Sequence, residues 1–515
     1  MDNNETVGSA EGRYTQLKTD REPFLYRGRK SAELTLPFLL PEEGTTGSTQ
    51  FQTPYQSLGA RGVVHLASKL LMALLPPNAP FFRLTVDDFD VIQLTGEEQR
   101  GQLEEGLASI ERAVMTRIET AAVRVPCFEA LKQLIVTGNC LINVNKENGT
   151  LRVFKLDSYV TCRDGLGNLL EIVTHEKVSP MILPIEVQEL IAQREQDKNE
   201  VEKNLNLYTH IKLVNGRWEL YQEVKGIRIP HSFKHYPKDK LPWLPLRFSA
   251  TNGEYYGRGL VEMYIGDLKS IELLSQSLVE GAQAAARILF LVRQNGQTRA
   301  KVIEEAPNGA VRAGSRDDVS VLQLDKQADF GFVKQTLDDV SYRLSHAFLL
   351  NSAVQRNAER VTAEEIRYMA NELEGALGGV YSVLSQEFQR PLVELLLSNL
   401  ESEGKMPKLP KNMVRPQITT GIEALGRGQD LNKLALFLEK LAPLGQEVLA
   451  ANLNVDDYID RLGASIGIDT SGLIKSEEQK QAEQEAQQQQ MQQQQMMDMM
   501  KSAAPSLAKN MEGQP

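Results

Sequence analysis

The chain has 515 residues, of which 41% are hydrophobic and 24% charged, enough for a sizeable core and for several domains at about 100–200 residues each. Its net charge of −11 argues against a protein that grips nucleic acid over its whole surface, which needs clustered Lys and Arg. The cysteines, Cys127, Cys140 and Cys162, form no C-x-x-C pair and suit a reducing compartment; the polar start reads as no secretory signal, and the longest apolar run, Leu70 to Pro77, is too short to span a bilayer.

In chain order, residues 1–50 read as a helix followed by a turn-rich loop (PEEGTTGSTQ, 41–50). The spacing of Leu58, Val63, Leu66, Leu70 and Leu74 predicts an amphipathic helix from Gln56 to Leu75, stopped by Pro76-Pro77. A second helix is expected from about Glu97 to Ala122. A third runs from Cys127 to Thr137 and is capped by Gly138-Asn139. Short strands follow at 140–144, 152–156 and 171–175, set apart by Asn148-Gly149 and by 164–168; two more, 207–214 and 218–224, flank the hairpin dipeptide Asn215-Gly216. Residues 180–204 carry a helix with a charged end, so 1–250 is a mixed region with antiparallel sheet.

From Gly259 the pattern turns helical as far as Arg287, with Val261, Ile265, Leu268, Ile271, Leu274 and Leu278 inward. A compact β segment is expected at 288–324, broken by Asn295-Gly296 and Asn308-Gly309. A helix from Phe330 to Leu350 and a polar loop at 351–361 follow. Thr362-Ala-Glu-Glu365 is a capping box opening a helix to about Glu401, bent at Gly378-Gly379 and Pro391. A smaller helical domain is expected at 415–475, and the Gln- and Met-rich tail beyond it is low in complexity.

Motifs for catalysis are wanting. Gly421–Gly428 lacks the Lys and Ser of a phosphate loop. Tyr256-Gly-Arg-Gly259 reads as a turn entering a helix. Gly463-Ala-Ser-Ile-Gly467 fits the nucleophile-elbow pattern without the strand that must precede it, and His231 and His235 lie in a loop-like stretch without a third ligand. Asp338-Asp339 and Glu364-Glu365 read as solvated helix faces. Arg356 and Arg360 stand out: two guanidinium groups in a short polar loop of an acidic chain, either a plain surface connection or positive charge offered to a phosphate backbone.

Several runs in order carry a family resemblance: Gln52-Thr-Pro-Tyr-Gln-Ser-Leu-Gly-Ala-Arg-Gly62, Phe128-Glu-Ala-Leu-Lys-Gln-Leu134, Leu322 to Phe330, Leu349-Leu-Asn-Ser-Ala-Val-Gln-Arg356, Glu359 to Tyr368, Gly426-Arg-Gly-Gln-Asp430 and Ile466 to Gly472. On these the chain resembles the portal (head-to-tail connector) proteins of short-tailed podophages of the autographivirus type. The resemblance weakens at the N-terminus, in 180–204 and after Lys475.

It implies an α+β, mainly helical fold assembled as a ring around a central channel. Residues 1–258 would be the wing, 259–287 and 330–350 the two stem helices, and 288–329 the clip. Residues 351–361 would be the tunnel loop, 362–410 the long bent wing helix, 411–475 the crown and 476–515 the tail. It implies a dodecamer through which double-stranded DNA passes, with terminase large subunit, scaffold protein, major capsid protein, tail tube or adaptor proteins and internal core proteins as partners. The place is the unique vertex of the virion, with assembly in the host cytoplasm. No catalytic residue, cofactor or metal is expected.

Gln355, Arg356, Asn357 and Arg360 are the expected DNA-facing residues, and Arg299, Lys301, Arg312 and Arg316 the expected docking residues of the clip. Twelve inner helices about 10 Å apart leave a bore of roughly 28 Å, wide enough for a duplex, and twelve chains at −11 total −132, a wall that repels phosphate. Alternatives are another ring-forming head–tail adaptor and a packaging nuclease or NTPase; the missing phosphate loop counts against the last.

Overall fold

The computed structural model describes residues 9–77, 80–86, 100–195, 204–286, 289–322, 327–350, 375, 377, 379–406, 414–418, 435–444, 455, 458, 459 and 462. The chain divides into a larger unit, 1–85 with 111–424, and a smaller one, 86–110 with 425–515. In the smaller unit the described residues include a helical stretch at 435–441.

The larger unit opens with α1 (Ala10–Glu33), whose N-terminus is closed by Ser9 accepting from Gly12 N at 3.0 Å. α2 (Leu58–Leu74) follows the expected spacing, and β1 (Phe82–Val86) leads to α3 (Arg100–Thr120). α4 (Arg124–Thr137) ends on Gly138 in the left-handed region at φ 79°. Then come β2 (Asn139–Val144), β3 (Leu151–Phe154), β4 (Tyr159–Arg163), β5 (Leu169–Val178), α5 (Ile185–Glu195) and β6 (Leu205–Val214). β7 (Arg217–Val224), β8 (Ile227–Arg228), β9 (Lys234–Pro237) and β10 (Trp243–Arg247) complete the sheets of this region.

Strands β4 to β8 form an antiparallel meander in sequence order, with β9 also on β7. Side chains alternate across it, so its faces pack differently. α1 covers one face, placing Ala10, Tyr14 and Leu17 against Val160, Val173 and Tyr208. α5 covers part of the other, with Val187 and Ile191 against Leu205, Leu207 and Val224. A second sheet has the order β10-β2-β3. His235, expected in a loop, lies on β9 opposite Glu219.

Beyond β10 a short helix α6 (Leu260–Met263) is separated from α7 (Ile265–Ala285) by Tyr264 at φ −110°, ψ 15°, so the expected single helix is broken near its start. β11 (Leu289–Val292), a one-turn helix α8 (Ala300–Glu304) and β12 (Val319–Leu322) precede α9 (Gln327–Ala347). β11 and β12 pair antiparallel, and apart from α8 and a tight turn at Arg316–Asp318 the chain between them is irregular rather than a further set of strands.

Past the undescribed 351–374, α10 (Gly379–Leu384) widens into a π turn (Ser385–Gln389) and continues as α11 (Arg390–Ser402). Pro391 lacks an N–H and its ring crowds the preceding turn, and the helix departs from the regular α form in a π turn directly before it. The helical domain expected from 415 begins instead with a strand: β13 (Val414–Ile418) pairs with β1.

Candidate functional site

α7 and α9 run antiparallel as a helical hairpin tipped by the β11–β12 pair. Phe330 closes on Gly281, where a Cβ would stand 2.5 Å from its ring, and Arg343 bonds Asp267 at 3.0 Å. Of α7 only Leu268 and Ile271 are buried; Leu274 and Leu278 are half-buried. Its Leu273 is 63% exposed and Phe332 of α9 is 73% exposed, so apolar side chains remain uncovered on the hairpin.

The backbone leading into α6 and α7 is held by the Asn139 side chain and by close approach of the Gly138 and Gly259 backbones. Asn139 Nδ2 donates to Gly257 O at 2.8 Å, and Gly257 N donates to Asn139 Oδ1 at 2.7 Å. A Cβ on Gly138 would meet Gly259 N at 2.5 Å, and one on Gly259 would meet Ile135 O at 2.8 Å. The Tyr256–Gly259 glycines therefore serve a crossing of two chain segments that admits no side chain. Arg258 adds a fork between Glu254 and Glu262, and Glu262 also receives Arg27 at 3.2 Å.

α2 is the hub on which both helices of the hairpin are seated. At its start, Gln56 Oε1 accepts from Gly59 N at 2.8 Å, while Glu272 of α7 accepts from the backbone N–H groups of Tyr55 and Gln56 at 2.9 and 3.2 Å. One turn further on, Gly62 receives the fully buried ring of Phe348. At its end, the carbonyls of Ala73 and Leu74, which a helix terminus leaves unpaired, accept from Tyr381 Oη at 2.8 Å and Gln389 Nε2 at 2.7 Å.

α9 ends in a Schellman motif: Leu350 N donates to Ser345 O at 2.8 Å and Leu349 N to His346 O at 3.0 Å. Leu349 occupies the left-handed position at φ 54°, where glycine is usual. Its carbonyl accepts from Lys69 Nζ at 3.1 Å and faces His65 Nε2 at 3.2 Å. The chain thus leaves α9, toward the expected DNA-facing loop, in a direction held by α2. Sequence reasoning missed Lys69; the visible signal was a lysine among Leu66, Leu70 and Ala73 on the buried side of α2.

The π turn has its own anchor. Glu387 accepts from Arg247 N at 3.0 Å and from the Arg247 guanidinium at 2.9 and 2.5 Å, with Arg163 at 3.7 Å. Burial pulls the Arg163 guanidinium below its ordinary range, while the Glu387 carboxylate acts the other way.

At the tip, Asp318 is buried. Its carboxylate accepts from Thr298 N at 3.1 Å and its carbonyl from Arg293 N at 2.8 Å; Thr298 Oγ1 in turn accepts from Ser315 N at 2.9 Å. This knot presents Arg299, Lys301, Arg312 and Arg316 to solvent. Lys301 pairs with Glu305 at 3.8 Å, and Arg312 and Arg316 make no ion pair with another described residue. Val311 beside them is 98% exposed.

Gln355, Arg356, Asn357 and Arg360 lie outside the described residues, as do Gly421–Gly428 and Gly463–Gly467. Among the described residues no group of three or more His, Cys, Asp or Glu is placed to hold a metal ion, and no helix is long and apolar enough to cross a membrane.

Residues 7–474 match the family described as bacteriophage head to tail connecting protein. The portal protein of Escherichia phage T7 is 42% identical over 475 residues, covering 91% of this chain and 88% of that protein. The portal protein of Enterobacteria phage T3 is 42% identical, covering 92% and 89%, and that of Enterobacteria phage SP6 is 33% identical, covering 91% and 90%. The chain accordingly belongs to the bacteriophage head-to-tail connecting family: it is a portal protein, a structural connector and no enzyme.

Proposed function

We propose that this portal forms a dodecameric channel at one capsid vertex, through which duplex DNA is packaged and later ejected. In this reading residues 1–258 and 362–410 are the wing, 259–287 and 330–350, which hold most of α7 and α9, the stem, 288–329 the clip, 351–361 the tunnel loop and 411–475 the crown. Assembly takes place in the host cytoplasm, nucleated with scaffold protein and received by the major capsid protein. The terminase large subunit, and later the tail proteins, dock at the clip through Arg299, Lys301, Arg312 and Arg316. Internal core proteins rest on the crown. Translocation energy comes from the terminase.

The observation that carries this reading is the half-covered hairpin. α7 and α9 bury one stripe against each other and leave Leu273, Val279, Phe332 and Tyr342 exposed. A long helical pair with apolar side chains outside its own contact is complete only when neighbouring copies flank it, as a ring provides. Electron-microscope class averages of the purified protein test the assembly: twelvefold top views with a hole of roughly 28 Å are expected. Light scattering that finds only monomers at micromolar concentration, across several salts, would overturn it.

A further inference from the structure

A cleft of about 390 Å³ opens where the three-stranded sheet approaches the face of the six-stranded sheet opposite α1. Thr209, Leu220 and Gln222 of β6 and β7 form its floor, and Asn143 and Trp243 one wall. This volume lies in the range of small-ligand sites. The polar groups of the floor are occupied with each other. Gln222 Nε2 donates to Thr209 Oγ1 at 3.3 Å, Gln222 N donates to Ser232 Oγ at 3.1 Å, and Asn143 Nδ2 donates to Pro242 O at 3.1 Å.

The ionisable side chains left to meet a ligand are Lys146, Lys234 and His231, with the Glu147 carboxylate beside them. Lys146 places its ammonium 4.6 Å from the centre of the Tyr236 ring, Lys234 lies on β9, and both line the cleft. Lys240 stands close by, its Nζ donating to Ser398 Oγ at 2.9 Å. Burial first, then the charges of Lys234 and Lys240, draw the Lys146 ammonium below the ordinary lysine range. Glu147 lines the cleft yet makes no ion pair with these lysines.

Two ammonium groups near enough to act on that of Lys146, in a chain of net charge −11, run against the composition. A lysine on an edge strand is also a common guard against edge-to-edge pairing, which accounts for Lys234. It accounts neither for Lys146, seated on an aromatic ring at the mouth of the cleft, nor for Lys240.

We propose that this cleft binds a phosphate group, with Lys146 and Lys234 as direct contacts and Lys240 reinforcing the positive field. A carboxylate brings a single charge. A phosphate concentrates up to two charges and several acceptor oxygens on one centre, matching a cluster of point-charge donors that contains no arginine fork. The phosphate belongs either to a small soluble compound or to a nucleic-acid backbone.

Calorimetric titration of sodium pyrophosphate into the full-length protein at low salt tests the site, in whatever oligomeric state the protein takes, so the result is independent of the ring reading. Wild type is expected to bind, and Lys146→Gln with Lys234→Gln to weaken binding about 100-fold, tenfold for each ammonium lost. An unchanged thermal unfolding curve for that variant shows that folding is intact. Glu147→Gln removes the opposing carboxylate and is expected to tighten binding, an effect that damage to the fold does not imitate. Competition by a short DNA duplex identifies a backbone phosphate as the source; a duplex that does not compete identifies a soluble compound. Absence of pyrophosphate binding, binding that survives loss of both lysines, or oligoglutamate binding in preference to pyrophosphate with the same lysine dependence overturns the proposal.

Discussion

Replacing Gly62 by alanine sets a methyl group against Phe348, at 2.5 Å from Cγ and 2.9 Å from Cβ. These are the atoms of the side chain nearest the backbone, in a fully buried ring, so relief requires the end of α9 to move. Two effects oppose each other. Alanine is favoured over glycine in a helix interior by about 1 kcal/mol. Overpacking a tight contact costs about 1–3 kcal/mol, and the upper part of that range applies where the nearest atoms cannot rotate away. The expected net loss is therefore about 1–2 kcal/mol.

Gly331 supplies the control. It lies inside α9, and a methyl group added there would have nothing within 4 Å, so Gly331→Ala keeps only the helix gain and raises stability by up to about 1 kcal/mol. Urea unfolding followed by tryptophan fluorescence reads both variants, because Trp218 and Trp243 both lie in the larger unit. Phe348→Leu placed on Gly62→Ala should recover part of the loss, a coupling that a double-mutant cycle isolates. If Gly62→Ala is as stable as Gly331→Ala, the argument that α2 tightly seats the end of α9 is wrong.

The Glu171 carboxylate, which burial alone would raise, is held at about 2 by hydrogen bonds from His210 at 2.6 Å and Arg13 at 2.7 Å. A depressed carboxylate stabilises the fold above its unfolded pKa and loses that contribution as pH falls; stability should drop between about pH 4.5 and 2, and Glu171→Gln should flatten this limb in acid unfolding curves. Glu387→Gln leaves Arg247 and Arg163 without their shared carboxylate and should destabilise the larger unit by about 3 kcal/mol in the same urea assay; a neutral result would show the clamp to be idle. Arg356→Ala with Arg360→Ala should leave ring and capsid assembly intact while lowering the DNA packaged or retained; full-length genomes at wild-type yield would make the loop a plain connector. Arg312→Glu with Arg316→Glu should preserve rings, as seen by electron microscopy, while weakening terminase or tail docking in pull-down assays. Failure of ring formation would place that segment at a subunit contact.

Local chemistry was legible wherever a short motif sufficed. Asn215-Gly216 reads as a two-residue hairpin because that turn needs positive φ at both positions, and they stand at 49° and 76°. β10 and β13 escaped because each contains a proline, Pro245 and Pro416, which argues against a strand until the strand is known to lie at a sheet edge. The end of α9 escaped for another reason. Nothing in Phe348-Leu-Leu350 announces a left-handed residue, and the groups that meet its carbonyl, Lys69 and His65, lie more than 270 residues earlier in the chain. An irregularity near Pro391 was expected from the proline, whereas the π turn just before it is braced by an ion pair with Arg247 from a distant strand. Of the expected site, Arg299, Lys301, Arg312 and Arg316 are exposed, on a knot centred on Asp318 that composition does not reveal.

The strand order also sets a timetable for synthesis. β4 to β9 are neighbours in sequence, so that sheet can close from local contacts once residue 237 has left the ribosome. β2 waits about a hundred residues for β10, and β1 waits until β13 appears, as the bond from Thr85 Oγ1 to Arg415 O across 330 residues records. For most of translation Phe82–Val86 is therefore an open strand edge. The Arg83 and Thr85 side chains interrupt its apolar run, which limits pairing between nascent chains while the edge is unoccupied. Pulse-labelled hydrogen exchange during refolding should find β5–β7 protected early and β1 last.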